Sequence, residues 1–141
     1  MNMRTLTQRR RARGRRGNAL VESALVLWPC ILIVFGLVQF GFVIWSNNTL
    51  GYAVDAAVRY ASLNGARSST PATVDSIRQA VKDNAMGLEA STITVNVTWN
   101  PSNRPGSTVN IEAVYPVRTL VNVIWTNPVS LRVSSQMLIV N

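Results

Sequence analysis

Residues 24–45 read ALVLWPCILIVFGLVQFGFVIW, and this stretch decides the architecture of the chain. At about 1.5 Å per residue it spans roughly 33 Å as a helix, which is enough to cross a bilayer core of roughly 30 Å. A cleavable secretory signal has an apolar stretch of only about 7–15 residues, followed by a small-residue cleavage site. The sequence SNNTLGY that follows here contains no such site. We therefore predict one retained transmembrane helix over residues 18–46, bent at Pro29.

An arginine-rich leader precedes the apolar stretch. Seven of the 14 basic residues lie in residues 1–17, which contain no acid, whereas residues 18–141 carry a net charge of only +1. Basic residues beside a first apolar span hold that side in the cytoplasm. We predict a cytoplasmic leader at 1–17, an extracytoplasmic C-terminal part, and Trp45 as an aromatic anchor at the outer interface. A nucleic-acid-binding protein would spread its basic residues over a folded face, so we expect no nucleic-acid partner.

Glu22 is the acid closest to the apolar stretch. A carboxylate at the entrance of a membrane helix is costly unless it is paired. One interpretation pairs it with Arg15 or Arg16 of the same chain. The other requires cleavage after Gly17, so that Asn18 becomes the N-terminus and its ammonium lies one helical turn before Glu22. Because paired charges cost less than isolated ones, such an amine paired with Glu22 of a neighbouring subunit would set the register of packed helices.

Residues 47–141 are predicted to form a small α+β head. Hydrophobic spacing extends the first helix over 47–63, where Ala53, Ala57 and Ala61 form a close-packing face for the chain's own sheet or for a second subunit. Thr70 as N-cap and Pro71 as the first helical residue predict a second, amphipathic helix, which Gly87 ends. Alternation of period two then predicts an antiparallel sheet of about three to four strands. The predicted ranges are 71–86 for the second helix and 91–99, 108–115 and 129–140 for strands; residues 117–128 are ambiguous.

Groups that carry catalysis are scarce. The chain has no His, its single thiol, Cys30, lies in the apolar stretch, and the acids outside that stretch do not have the spacing of a catalytic pair. No glycine-rich phosphate loop or cluster of metal ligands is present in the sequence. We therefore expect that the protein is not an enzyme and that it has no catalytic, metal-binding or cofactor-binding residues.

The N-terminal region, strongest over residues 14–66, resembles the TadE-like proteins, which are minor pilins or pseudopilins of tight-adherence (Tad, Flp) type IV pilus systems. The resemblance rests on the basic leader, on Gly17 before the cleavage position, on Glu22 at the fifth mature position, on Pro29 within the span and on the AAVRYA sequence that begins at residue 56. Residues 108–141 are also similar to the end of such proteins. The family usually has Phe or Tyr after the Glu, where this chain has Ser23.

The resemblance implies a pilin-like head and a role in pilus assembly. It implies cleavage between Gly17 and Asn18 by a prepilin peptidase, and docking of subunits through Glu22. It also implies partners among other pilins or pseudopilins and inner-membrane assembly proteins, with the chain in the bacterial inner membrane and pilus-associated after processing. The alternative is a permanently anchored envelope-binding protein with an uncleaved N-terminus. The spacing of Gly17 and Glu22 favours the first interpretation, and Ser23 favours the second.

Overall fold

The computed structural model describes residues 3–117 and 129–140, with side chains from residue 19 onward. The ambiguous stretch predicted at 117–128 lies outside these residues except for Val117. Contacts divide the chain into two compact units, Met1–Phe40 and Gly41–Asn141. The secondary structure is α+β, as predicted: one long apolar helix, a shorter helix and an antiparallel sheet of three strands.

The long helix, α1, runs from Met3 to Leu63 and contains Pro29 without a break. Its most apolar 18-residue window has a mean hydropathy of 2.3 and is not buried inside the chain. All side chains over residues 19–38 are exposed, on every side of the helix. A helix that is apolar all round needs an apolar environment, so α1 has the length and composition of a membrane span.

The second helix, α2, covers Val74–Asn84 and buries Ile77 and Val81. The prediction that it begins at Pro71 with Thr70 as its cap is wrong. Thr73 is the N-cap: its hydroxyl accepts from the Ser76 amide at 3.1 Å, and the Ser76 hydroxyl accepts from the Thr73 amide at 2.9 Å. This reciprocal capping satisfies two amides that would otherwise lack a partner, and it fixes the helix start three residues later than predicted.

Three strands follow in chain order and pair with their neighbours. They are β1 (Thr94–Asn100), β2 (Thr108–Val117) and β3 (Val129–Leu138), after a short 3-10 turn at Ala90–Thr92. The sheet order is β1-β2-β3, with both pairs antiparallel. Pro116 lies in the central strand but beyond Val114, which pairs with the first residue of β1. Its missing amide therefore costs no hydrogen bond to β1.

The core lies between the sheet, α2 and the C-terminal part of α1. The predicted faces supply it: Leu50, Val54 and Val58 of α1 are fully buried, as are Val109 and Ile111 of β2. β3 is less completely covered than β2, because Val129 and Met137 are each 37% exposed.

The chain after β3 is fastened to the end of α1. The Ser62 hydroxyl donates to the Leu138 carbonyl at 2.6 Å, and the Val140 amide donates to the Ser62 carbonyl at 3.1 Å. Ile139, between them, is buried to 1% exposure. Arg78 ties α2 to the free edge of β1 through its Nε, which donates to the Val95 carbonyl at 3.3 Å. Such contacts occupy backbone groups that a bare sheet edge would leave open.

Candidate helix-docking surface

An open groove runs along one side of α1 in the first unit. Its lining residues are Ala19, Glu22, Ser23, Val26, Leu27 and Cys30. These positions recur at spacings of three and four residues, so they share one helix face. The groove combines a carboxylate with small and apolar side chains. Small side chains on a membrane helix allow a second helix to approach closely, so the groove has the character of a helix-docking surface.

Glu22 is exposed on this face. No described cation pairs with it, since the ion pairs among the described side chains are Arg78–Asp75 and Arg132–Glu112. The side chains of Arg15 and Arg16 lie outside the described residues. Pairing of Glu22 within the chain therefore stays a prediction, as does pairing with a neighbouring subunit. In an apolar environment an exposed carboxylate requires one or the other.

The Ser23 side chain hydrogen-bonds to the backbone of its own helix. Its hydroxyl donates to the Ala19 carbonyl at 2.8 Å. A serine bonded in this way presents little bulk and no free donor to a neighbour. Ser23 therefore contributes a small side chain to the groove next to Glu22.

Three other residues singled out from the sequence are helical in α1. Gly17 and Asn18 lie within the helix, and their role as a cleavage site stays a prediction. Pro29 is also inside the helix, and the predicted bend there remains a prediction.

The three alanines of the predicted close-packing face lie in the second unit. Ala53, Ala57 and Ala61 are each 0% exposed and belong to the hydrophobic core of the head. The sequence left open whether the chain's own sheet or a second subunit would cover them. Their burial is complete within the single chain, so the head itself covers this face.

A contact that the sequence did not predict links α1 to the turn after α2. Gly87 has φ +79°, and a Cβ at this position would lie 2.7 Å from Cη2 of Trp45. Gly87 was predicted only as a helix terminator and Trp45 only as an interfacial anchor. The two residues are far apart in the chain, and neither hydrophobic periodicity nor turn chemistry relates positions at such a separation. A Trp at the end of an apolar span and a Gly after a helix are the only local signals.

Groups of three or more His, Cys, Asp or Glu side chains that could hold a metal ion are not found among the described residues.

The comparisons identify the segment that carries the groove. A family model described as "TadE-like protein" matches residues 17–59. This segment is similar to TadE-like proteins. The resemblance predicted from the sequence is confirmed there, and the match includes Gly17, Glu22 and Pro29. Neither the curated proteins nor the solved structures include a match to this chain.

The limits of the TadE-like match follow the organisation of the chain. It begins at Gly17, directly after the last arginine of the leader, and ends at Arg59, inside the part of α1 that belongs to the head. The additional resemblance predicted over 108–141 is not part of the match. The TadE-like segment thus comprises the apolar helix together with its groove, and it leaves the sheet outside.

Proposed function

We propose that this chain is a minor pilin or pseudopilin that acts in the assembly of a Tad (Flp) type IV pilus. The observation that carries the proposal is the start of the TadE-like match at Gly17, at the junction between a basic leader and a helix that is long and apolar enough to cross a membrane. The match supports a role connected with Tad pili, and the finer steps below are part of the proposal.

The leader sets the proposed topology. The seven arginines before Gly17 hold the N-terminus in the cytoplasm, and the head then lies on the extracytoplasmic side of the bacterial inner membrane. A prepilin peptidase cleaves between Gly17 and Asn18. Cleavage removes all seven of these charges and creates a new ammonium group at the start of the apolar helix. The mature chain then has no cationic segment that holds its N-terminus at the cytoplasmic surface.

The groove of α1 supplies the proposed docking surface. A neighbouring pilin helix lies against Ala19 and Ser23, where small side chains allow close approach. Its N-terminal ammonium pairs with Glu22, or the ammonium of this chain pairs with the corresponding acid of the neighbour. Because breaking one partner of a buried ion pair costs about 3–5 kcal/mol, a neighbour displaced along the helix axis is strongly disfavoured. The partners in this proposal are other pilins or pseudopilins and inner-membrane assembly proteins.

The competing proposal is an anchored envelope-binding protein that keeps its leader. The specific observation that favours it is Ser23, whose hydroxyl is bonded to its own helix and which replaces the usual aromatic residue. In that case the leader is a plain membrane-orientation signal and Glu22 has no intersubunit role.

The function is tested in the native host by deleting the gene and restoring it with the wild type, Glu22→Ala, Glu22→Gln or Val21→Ala. Val21 is the matched control, because it adjoins Glu22 but does not line the groove. We expect all four chains to insert into the membrane. Piliation should return with the wild type and Val21→Ala and should be impaired with both Glu22 variants, since Gln keeps the shape of Glu but not its charge. Normal piliation in the deletion strain contradicts a role in assembly. Normal piliation with Glu22→Gln contradicts only the proposed ion pair, and the role in assembly stands.

A further inference from the structure

The turn after α2 holds one large apolar side chain away from the core. Ala85 and Leu88 at its two ends are only 3% and 8% exposed, and the Leu88 amide donates to the Ala85 carbonyl at 3.1 Å. Gly87 takes the third position with a positive φ, which a turn of this kind requires. Met86, at the tip, is 77% exposed. Both ends are fixed by burial, so the exposure of Met86 is a property of the turn's geometry.

The turn lies against Trp45 of α1. The Trp45 ring is so close to Gly87 that a Cβ would lie 2.7 Å from Cη2 and 3.1 Å from Cζ2. Phe42 adjoins the same ring, with 5.7 Å between ring centroids. Trp45 and Phe42 remain 44% and 36% exposed. Met86 precedes Gly87 in the chain, so three exposed apolar side chains lie at or beside this contact; we call Met86, Trp45 and Phe42 the Met86 rim.

The position of Trp45 along α1 indicates which environment surrounds this rim. A bilayer core of about 30 Å takes about 20 helical residues, so a span that starts at Ala24 ends near Val43. The head begins to cover the helix at the same level, since Ser46 is fully buried and the exposed polar residues Asn47 and Asn48 follow it. Trp45 thus lies where hydrocarbon gives way to head groups, which is the level that Trp side chains prefer.

We propose that the Met86 rim of the head rests in the interface of the membrane leaflet on the head side. The occupant is lipid, because the rim includes Trp45, the last residue of the apolar stretch 24–45. The charged residues beside the turn are the exposed acids Asp83 and Glu89 and the partly exposed Lys82. Acids outnumber the base, so attraction to anionic lipid does not drive this contact. The contact gives the head a second point of attachment to the bilayer and restrains it close to the surface. The inference rests on the membrane crossing in the proposed function.

The test uses the full chain with Cys30→Ala, reconstituted in phosphatidylcholine nanodiscs. A single cysteine is introduced as Met86→Cys, Phe35→Cys or Leu138→Cys and is labelled with a fluorophore whose emission depends on polarity. Phe35 is the control within the span. Leu138 is the control on the head: it is 57% exposed, and its carbonyl bonds to Ser62. Ser62 lies about 25 Å further along α1 than Trp45, at 1.5 Å per residue.

Spin-labelled lipids then report contact with the bilayer: a nitroxide near the top of the acyl chain tests positions 86 and 138 at the interface, and a nitroxide near the end of the acyl chain tests position 35 in the interior. We expect the labels at positions 86 and 35 to lose emission and the label at 138 to keep it. The loss at 86 should be independent of the protein-to-lipid ratio and of salt. If position 35 is quenched and 86 behaves like 138, the inference is overturned while the membrane crossing stands. If neither position 35 nor position 86 is quenched, both the membrane crossing and the inference are contradicted. If the label at position 86 is shielded from polar solvent only at a high protein-to-lipid ratio, a second copy of the chain covers the rim. That result also overturns the inference.

Discussion

Replacing Gly87 by Ala should destabilise the head more than the same change at Gly106, the other described glycine with a positive φ. Two costs combine at this position. Gly87 has φ +79°, and an L residue in this region costs about 1–2 kcal/mol. The new methyl group would also lie 2.7 Å from Cη2 of Trp45, a ring atom that cannot flex independently of its side chain. Overpacking of this kind costs about 1–3 kcal/mol, so we expect a total loss of about 2–5 kcal/mol.

Gly106 is a matched control for the backbone cost alone. It has φ +85° in the turn Arg104–Ser107, which is closed by the Ser107 amide donating to the Arg104 carbonyl at 3.0 Å. Nothing lies within 4 Å of a Cβ at this position. Gly106→Ala should therefore lose only the backbone contribution of about 1–2 kcal/mol.

Thermal unfolding of the full chain in detergent micelles, followed by near-ultraviolet circular dichroism, separates the two variants. In a domain of 60–100 residues, 1 kcal/mol shifts Tm by about 4–8 °C, so Gly87→Ala should melt at least about 4 °C below Gly106→Ala. In a Trp45→Ala background the additional loss at Gly87 should vanish, because the methyl group then has room. Equal Tm losses for the two glycine variants, or a difference that persists without Trp45, would refute the contact.

Two further changes test how the head is fastened. Thr73→Ala should cost about 0.5–2 kcal/mol, because it removes the N-cap of α2, whereas Thr70→Ala, at the position that the sequence favoured, should leave Tm nearly unchanged; equal effects would contradict the observed helix start. Ser62→Ala should cost about 0.5–1.5 kcal/mol through loss of the bond to the Leu138 carbonyl, and amide exchange of the residues after β3 should become faster; unchanged exchange would show that the hydroxyl does not hold this segment.

The elements with strong periodicity could be predicted from the sequence. Alternation over Ile93–Trp99 and Val109–Tyr115 predicted two strands, and the structure pairs them as neighbours with Val97 opposite Ile111. The extension of the first helix to Leu63 was predicted from three- and four-residue spacing. These patterns succeed because a buried face must repeat with the period of its own backbone.

Predictions that depended on choosing between similar polar residues were weaker. Thr70 and Thr73 are both suitable caps, and Pro71 favoured the first because proline is common at the start of a helix. The reciprocal bonds with Ser76 decide for Thr73, and a Ser in that role is a weaker sequence signal than the usual Glu or Gln.

The candidate site also has features that could be predicted from the sequence and features that could not. The positions on α1 that matter for docking follow from the leader, the apolar span and Glu22, all of which are local in the sequence. The contact of Trp45 with Gly87 depends on long-range packing. It has no periodic or compositional signature, so only the three-dimensional structure reveals it.

The most direct test of the proposed pilin role is the N-terminal sequence of the protein recovered from membranes of its native host. Our account predicts a start at Asn18, which requires cleavage after Gly17 and places a free ammonium one helical turn before Glu22. A mature protein that starts at Met1 or at the following residue would contradict processing, and the anchored envelope-binding function would then replace the pilin function.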